Sequence, residues 1–103
     1  MSDDGNNDWF VYILRCSNGA LYTGVTTDVQ RRVHEHKDKG RLSARFTRAF
    51  SPVELVYSCC VGAKSLAYRI EYRIKKLPRE KKANVVSENL SKTKLLDFLD
   101  IKE

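Results

Sequence analysis

Along the 103 residues of the chain the spacing of apolar side chains changes several times, and each change marks an element. Residues 9–16, WFVYILRC, form a nearly unbroken aromatic and aliphatic run, the pattern of a strand buried on both faces. Ser17-Asn18-Gly19 reads as a turn and residues 20–25 as the return strand of a hairpin. Its register has two solutions. A two-residue turn at Asn18-Gly19 sets Ser17 opposite Ala20 and Tyr12 opposite Val25, which puts Tyr12 and Tyr22 on different sides of the sheet. A three-residue loop with Gly19 left-handed sets Cys16 opposite Ala20, Leu14 opposite Tyr22 and Tyr12 opposite Gly24, so both tyrosines share a face. Local chemistry permits either.

Thr27 or Asp28 caps a helix that runs to about Lys37 and ends before Gly40, with Gln30 at capping-box distance from Thr27. Residues 41–51 are basic without a period and read as a loop. Pro52 opens a third strand, in which Val53, Leu55, Tyr57, Cys59 and Val61 alternate with Glu54 and Ser58. A second helix follows Gly62 and stops before Pro78, and two shorter helices, about 79–88 and 91–100, finish the chain. Residues 1–8 carry Gly, Asn and Asp with no apolar pattern and read as a disordered leader. This length suits one domain with one modest core.

Two helical faces break the pattern. From Val29 the spacing i, i+3, i+4, i+7 selects Val29, Arg32, Val33 and His36, so a guanidinium and an imidazole share the side that packs on the sheet, while Arg31, His34 and Glu35 point elsewhere. From Ala67 it selects Ala67, Ile70, Glu71 and Ile74, adding a carboxylate to an apolar stripe. Burying an unpaired guanidinium costs roughly several kcal/mol, so Arg32 requires a partner or an open cleft. A plainer account is also open: Arg32 and His36 at the stripe's edge with their heads in water, and Glu71 bridged to Lys75 one turn on.

Charge adds a partner class. Residues 31–48 hold seven Lys/Arg against Glu35 and Asp38, and residues 64–82 hold eight against Glu71 and Glu80, whereas the first ten residues are acidic. A polyanion, nucleic acid above all, suits two basic segments. The acidic, polar N-terminus is unlike a signal peptide and no apolar run reaches a membrane span, so the expected setting is intracellular, cytoplasmic and without membrane. Cys16, Cys59 and Cys60 form no C-x-x-C pair, which argues against a cysteine zinc site and for reduced, packed thiols.

With these residues in view the chain resembles the GIY-YIG nuclease domain in its short stand-alone, UPF0213-like form. Phe10-Val11-Tyr12, Tyr22-Thr23-Gly24, Arg32 and Glu71 follow that family's motifs in order and spacing, LYTGVTTDVQRRVHEH resembling its first half and AYRIEYRIKKL its second, over residues 9–83. The resemblance implies an α/β (α+β) sandwich with a three-stranded antiparallel sheet flanked by helices, in the order β-β-α-β-α-α, with residues 84–103 as a C-terminal helical extension packed on the same domain. It also implies the three-residue hairpin loop, since both tyrosines must face one cleft. Phe10 departs from the motif's glycine, and the family's late asparagine has only loose counterparts in Asn84, which is preferred, and Asn89.

What the resemblance implies chemically is metal-dependent hydrolysis of DNA phosphodiester bonds, in DNA repair or recombination. Glu71 would hold one Mg²⁺ or Mn²⁺, Arg32 would clamp phosphoryl oxygens, Tyr12 or alternatively Tyr22 would act as base, and His36 would hold or relay the proton. Gly24, Lys37, Arg41, Arg45, Arg48, Lys75 and Asn84 are the expected nucleic-acid contacts. No accessory domain follows, so any module that targets it to substrate would come from a protein partner or be absent. A binding module without catalysis is the competing class, and a small adaptor docking a protein is a third.

Overall fold

The computed structural model of the protein describes residues 8–37 and 53–102. Residues 1–7 of the expected leader, and the expected loop 41–51, lie outside the described residues. Three strands, β1 (Trp9–Arg15), β2 (Leu21–Thr26) and β3 (Glu54–Gly62), form an antiparallel sheet in the order β2-β1-β3. The helices are α1 (Val29–Lys37), α2 (Lys64–Lys75), α3 (Arg79–Glu88) and α4 (Lys92–Phe98), giving an α+β fold in the order β-β-α-β-α-α-α. The last of these is the short helix expected at 91–100. Among the described residues no helix is long and apolar enough to cross a membrane.

The unbroken apolar run became the central strand because only that position is covered on both faces and both edges. Val11, Tyr12, Ile13 and Leu14 are all at most 1% exposed, and they divide by parity. Val11 and Ile13 join Leu66, Ala67, Ile70 and Ile74 of α2, Val85 of α3 and Leu95 and Leu96 of α4 in the larger cluster. Tyr12, Leu14 and Cys16 join Val33 of α1 and Val53 on the other face, with Tyr22 and Val29 packed at its margin.

The hairpin adopts the three-residue loop. Cys16 N donates to Ala20 O at 2.9 Å, Gly19 N to Cys16 O at 2.8 Å, and Gly19 takes φ +85°, a backbone that L side chains resist. Leu14 therefore pairs with Tyr22 and Tyr12 with Gly24. In β3 the expected single alternation is broken. Ile13 pairs with Tyr57 but Leu14 with Leu55, so Val56 is an extra residue in a bulge, and Val53 falls on the α1 face although Tyr57 is on the other.

Asp28 rather than Thr27 caps α1: its Oδ1 accepts from Arg31 N at 3.1 Å, while Thr26 Oγ1 accepts from Asp28 N at 3.1 Å and shapes the turn. The C-terminal helices are tied down by polar bonds as well as by packing. Tyr57 donates its hydroxyl to Leu90 O at 2.6 Å, Arg73 Nη1 to Leu99 O at 2.8 Å, and Arg79 Nη2 reaches Gly19 O at 2.8 Å across the hairpin turn.

Candidate active site

The position opposite Tyr12 in the sheet has no side chain, and that vacancy is used. The Tyr12 ring lies across β2 at Gly24, so close that a Cβ on Gly24 would land against the hydroxyl and 2.9 Å from Cε2. A glycine is required here for space rather than for torsion. The consequence is a buried phenol, 1% exposed, whose hydroxyl meets Nε2 of His36 at 3.0 Å. The Tyr22 ring stands edge-on to the same imidazole, centroids 5.3 Å apart. Both tyrosines and His36 thus occupy the α1 face of the sheet, but Tyr12 lies beneath the surface instead of lining a hollow open to solvent.

Burial decides the protonation states. His36 is 0% exposed, and its pKa is lowered from 6.5 to about 4, first by desolvation and then by the Arg32 charge, against a smaller opposing pull from Glu35. The ring is neutral at physiological pH. Tyr12 moves the other way, up to about 12, through desolvation and the proximity of Tyr22, only partly offset by the Arg32 guanidinium in hydrogen-bond reach. The pair is therefore a protonated phenol beside an uncharged imidazole. With the ring proton on Nδ1, Nε2 accepts the Tyr12 hydroxyl proton.

The buried imidazole makes stability pH-dependent. Above pH 6.5 His36 is neutral folded or unfolded, and its contribution is fully present; as pH falls towards 4, the unfolded chain takes up a proton that the folded one refuses. We expect on the order of 3 kcal/mol to be lost across that window. Urea midpoints measured from pH 7 to pH 4 should fall more steeply for the wild type than for His36→Gln. Parallel curves would mean that His36 titrates normally.

Arg32 is not left bare on the sheet side. Its Nη1 lies 2.8 Å from Glu35 Oε1, and Arg31 Nε lies 3.8 Å from Glu35 Oε2, so one carboxylate serves two arginines. Glu35 was expected to point elsewhere; the helical stripe counted only the sheet side and overlooked the i, i+3 step from Arg32. The bonds to Glu35 and to Tyr12 raise the already high Arg32 pKa against the effect of burial, so the guanidinium stays charged.

Glu71 arrives from a different layer. Helix α2 packs on the opposite face, yet its Lys75 ammonium sits 5.8 Å from the Tyr22 ring centroid on edge strand β2, and Lys75 Nζ lies 3.2 Å from Glu71 Oε2. The plain bridge from Glu71 to Lys75 is therefore present. The Glu71 charge also acts on Tyr12, as the smallest of the influences on its pKa, in the upward direction. Among the described residues no three metal-ligating side chains cluster. A lone carboxylate, 18% exposed and paired with a half-exposed lysine, still fits an ion such as Mg²⁺, which takes one or two protein carboxylates and completes its shell with water and phosphate.

The expected nucleic-acid contacts are scattered. Gly24 supports Tyr12, Lys37 is exposed at the end of α1, and Arg41, Arg45 and Arg48 lie outside the described residues. Asn84 is half-buried on α3, whose Ala83, Val86 and Ser87 line a groove of about 380 Å³ against Arg15, Gly19 and Leu21. A second concavity of about 360 Å³ lies between Phe10, Leu55 and Ser58 of the sheet and the start of α1. Neither is lined by the tyrosine–histidine pair.

Comparison with known proteins identifies the family. The family profile of the GIY-YIG catalytic domain matches residues 8–84. The chain belongs to the GIY-YIG family, a family of nucleases. It is 42% identical to UPF0213 protein YhbQ of Escherichia coli K12 over 96 residues, covering 92% of this chain and 93% of that protein. A UPF0213 protein of Vibrio cholerae is 50% identical over 80 residues, 77% of each chain. The solution NMR structure of a UPF0213 protein from Bacillus halodurans superposes with a TM-score of 0.53 at 38% identity, covering 92% of this chain and 99% of that one. The chain is thus a GIY-YIG protein of the UPF0213 kind, a designation that states no activity.

Proposed function

We propose that the protein is a metal-dependent endonuclease that hydrolyses DNA phosphodiester bonds, with residues 9–83 as its catalytic unit, residues 84–103 as a helical extension of it, and DNA repair or recombination as its setting. The observation that carries the reading is the Tyr12 hydroxyl held on Nε2 of a neutral His36 beside the Arg32 guanidinium.

A phenol pushed up to about 12 is a poor base by itself. The imidazole supplies what it lacks. Tyr12 oxygen takes a proton from the attacking water while its own proton passes to His36 Nε2, where the negative charge of the bound phosphate, absent from the free protein, favours the imidazolium; no free phenolate need form and one hydroxide equivalent is delivered to phosphorus. Tyr22, edge-on to His36, orients the ring and is the alternative base. Arg32 exchanges Glu35 for the non-bridging oxygens of the phosphate, which its planar fork fits in two-point fashion. Glu71 would hold a Mg²⁺ or Mn²⁺ ion, which supplies neutralisation of the phosphoryl and leaving-group charge when bound. Lys75 beside it, with Lys37, Arg41, Arg45 and Arg48, would grip the flanking backbone.

Supercoiled plasmid incubated with Mg²⁺, Mn²⁺ or chelator tests this directly. The wild type should nick in metal only, and Arg32→Ala should nick about 10² to 10³ times more slowly. Plasmid bound but left intact in every metal would assign the chain to non-catalytic nucleic-acid binding.

A further inference from the structure

Helix α2 carries two features that the catalytic reading leaves unused. Among the described residues the large apolar side chains left exposed are Leu55, Tyr68 and Tyr72, at 39%, 47% and 59%, and the two tyrosines occupy successive turns of α2. They belong to a ridge spaced by four, Lys64, Tyr68, Tyr72 and Lys76, in which the pair of rings has a cation at each end.

The rings are held in place. Trp9 of β1 packs on Tyr68 with centroids 5.7 Å apart at 48°, the Lys64 ammonium stands 5.6 Å from the Trp9 centroid, and the Lys76 ammonium lies 4.8 Å from the Tyr72 centroid. The ridge also leads to the candidate site. Tyr68 is three residues before Glu71 and Tyr72 three before Lys75, so the tyrosines are surface neighbours of the Glu71–Lys75 pair, and Lys75 reaches the Tyr22 ring.

We propose that this tyrosine–lysine ridge of α2 is a stacking platform for unpaired nucleotides, so that the strand to be cut reaches Glu71 with a single-stranded segment beside the scissile bond. The phrase about the scissile bond rests on the nuclease reading; the platform does not. Aromatic rings stack on base faces of any sequence, and those faces are available only where bases are not sandwiched in a duplex. Rings one turn apart on a helix are about 6 Å apart along its axis, wider than the about 3.4 Å repeat of stacked duplex bases, so the ridge fits a strand drawn out of a duplex. Lys64, Arg69 and Lys75 on the helix and Lys76 at its C-cap favour a polyanion over a protein surface, which would want the rings free of flanking charge.

Binding measured in chelator separates this from catalysis. Anisotropy of labelled oligothymidylate and oligouridylate, beside a duplex of equal length, would be followed for the wild type, for Tyr68→Ala and Tyr72→Ala, and for the corresponding Phe variants, with thermal melts confirming the fold. The wild type should prefer the single strand. Each Ala change should weaken it about 5- to 100-fold while barely altering duplex binding, and each Phe change should stay within about twofold. Loss in either sugar form supports the platform, and the tighter form names the strand. Single-strand affinity unchanged in both Ala variants, as for a protein-docking face, would overturn it, as would equal losses for single strand and duplex. Tyrosine-dependent binding with neither plasmid nor the single-stranded oligonucleotides cut in Mg²⁺ or Mn²⁺ would retain the platform and discard the nuclease; cutting with tyrosine-independent binding would do the reverse.

Discussion

Glu71→Gln should leave plasmid nicking at background in Mg²⁺ or Mn²⁺, a loss of at least about 10²-fold, while the melting temperature stays within a few degrees of the wild type. The separation follows from where Glu71 sits. Among the described residues its ion pair is the i, i+4 bridge to Lys75, which is 51% exposed, and such bridges contribute only about 0.3 to 0.5 kcal/mol. The amide is nearly isosteric, so α2 keeps its buried face of Leu66, Ala67, Ile70 and Ile74. What disappears is a charge. That charge is the proposed hard-cation ligand, and it is also one cause of the raised Tyr12 pKa, so a spectrophotometric titration of Tyr12 should shift downward in the variant. Nicking at the wild-type rate in a clean preparation would take Glu71 out of the mechanism.

The second large effect belongs to a residue with no functional group. Gly24→Ala places a methyl against the Tyr12 hydroxyl and ring, and neither side has room to yield: the phenol is buried and bonded to His36, and Gly24 is backbone in a paired strand. Overpacking of this kind costs about 1 to 3 kcal/mol, which in a domain of this size lowers the melting temperature by roughly 4 to 8 °C per kcal/mol. Activity should fall as well, by about 10²-fold or more, because the hydroxyl loses its geometry on Nε2. Combining Gly24→Ala with Tyr12→Leu should return part of the lost stability without returning activity, since the two substitutions meet at one contact. A fully active Gly24→Ala enzyme with unchanged melting would show that the ring does not need to cross β2 there.

These two predictions draw on different depths of the sequence. Glu71 was conspicuous as a carboxylate on an apolar stripe, and Arg32 and His36 were conspicuous for the same reason, because periodicity reports where a side chain points. Glu35 was not, since a residue's partner depends on which rotamer its neighbour takes. The bulge at Val56 was equally hidden: Val53, Leu55 and Tyr57 alternate in sequence whether or not an extra residue intervenes in the ladder, and only pairing with Leu14 and Ile13 reveals the change of face.

What the chain determined by itself was the set of elements and the odd residues within them: a doubly buried strand from Val11 to Leu14, helices whose apolar stripes carry a cation and an anion, and a hairpin with two allowed registers. Tertiary structure alone decided the rest. It selected the loop that puts Tyr12 opposite Gly24, buried His36 deeply enough to hold it neutral, and set Lys75, the partner of Glu71 on the far-layer helix, near the ring of Tyr22 on edge strand β2. The reason is that periodicity encodes directions within one element, whereas protonation, close approach and partner choice depend on distances between elements, and those exist only once the layers have packed.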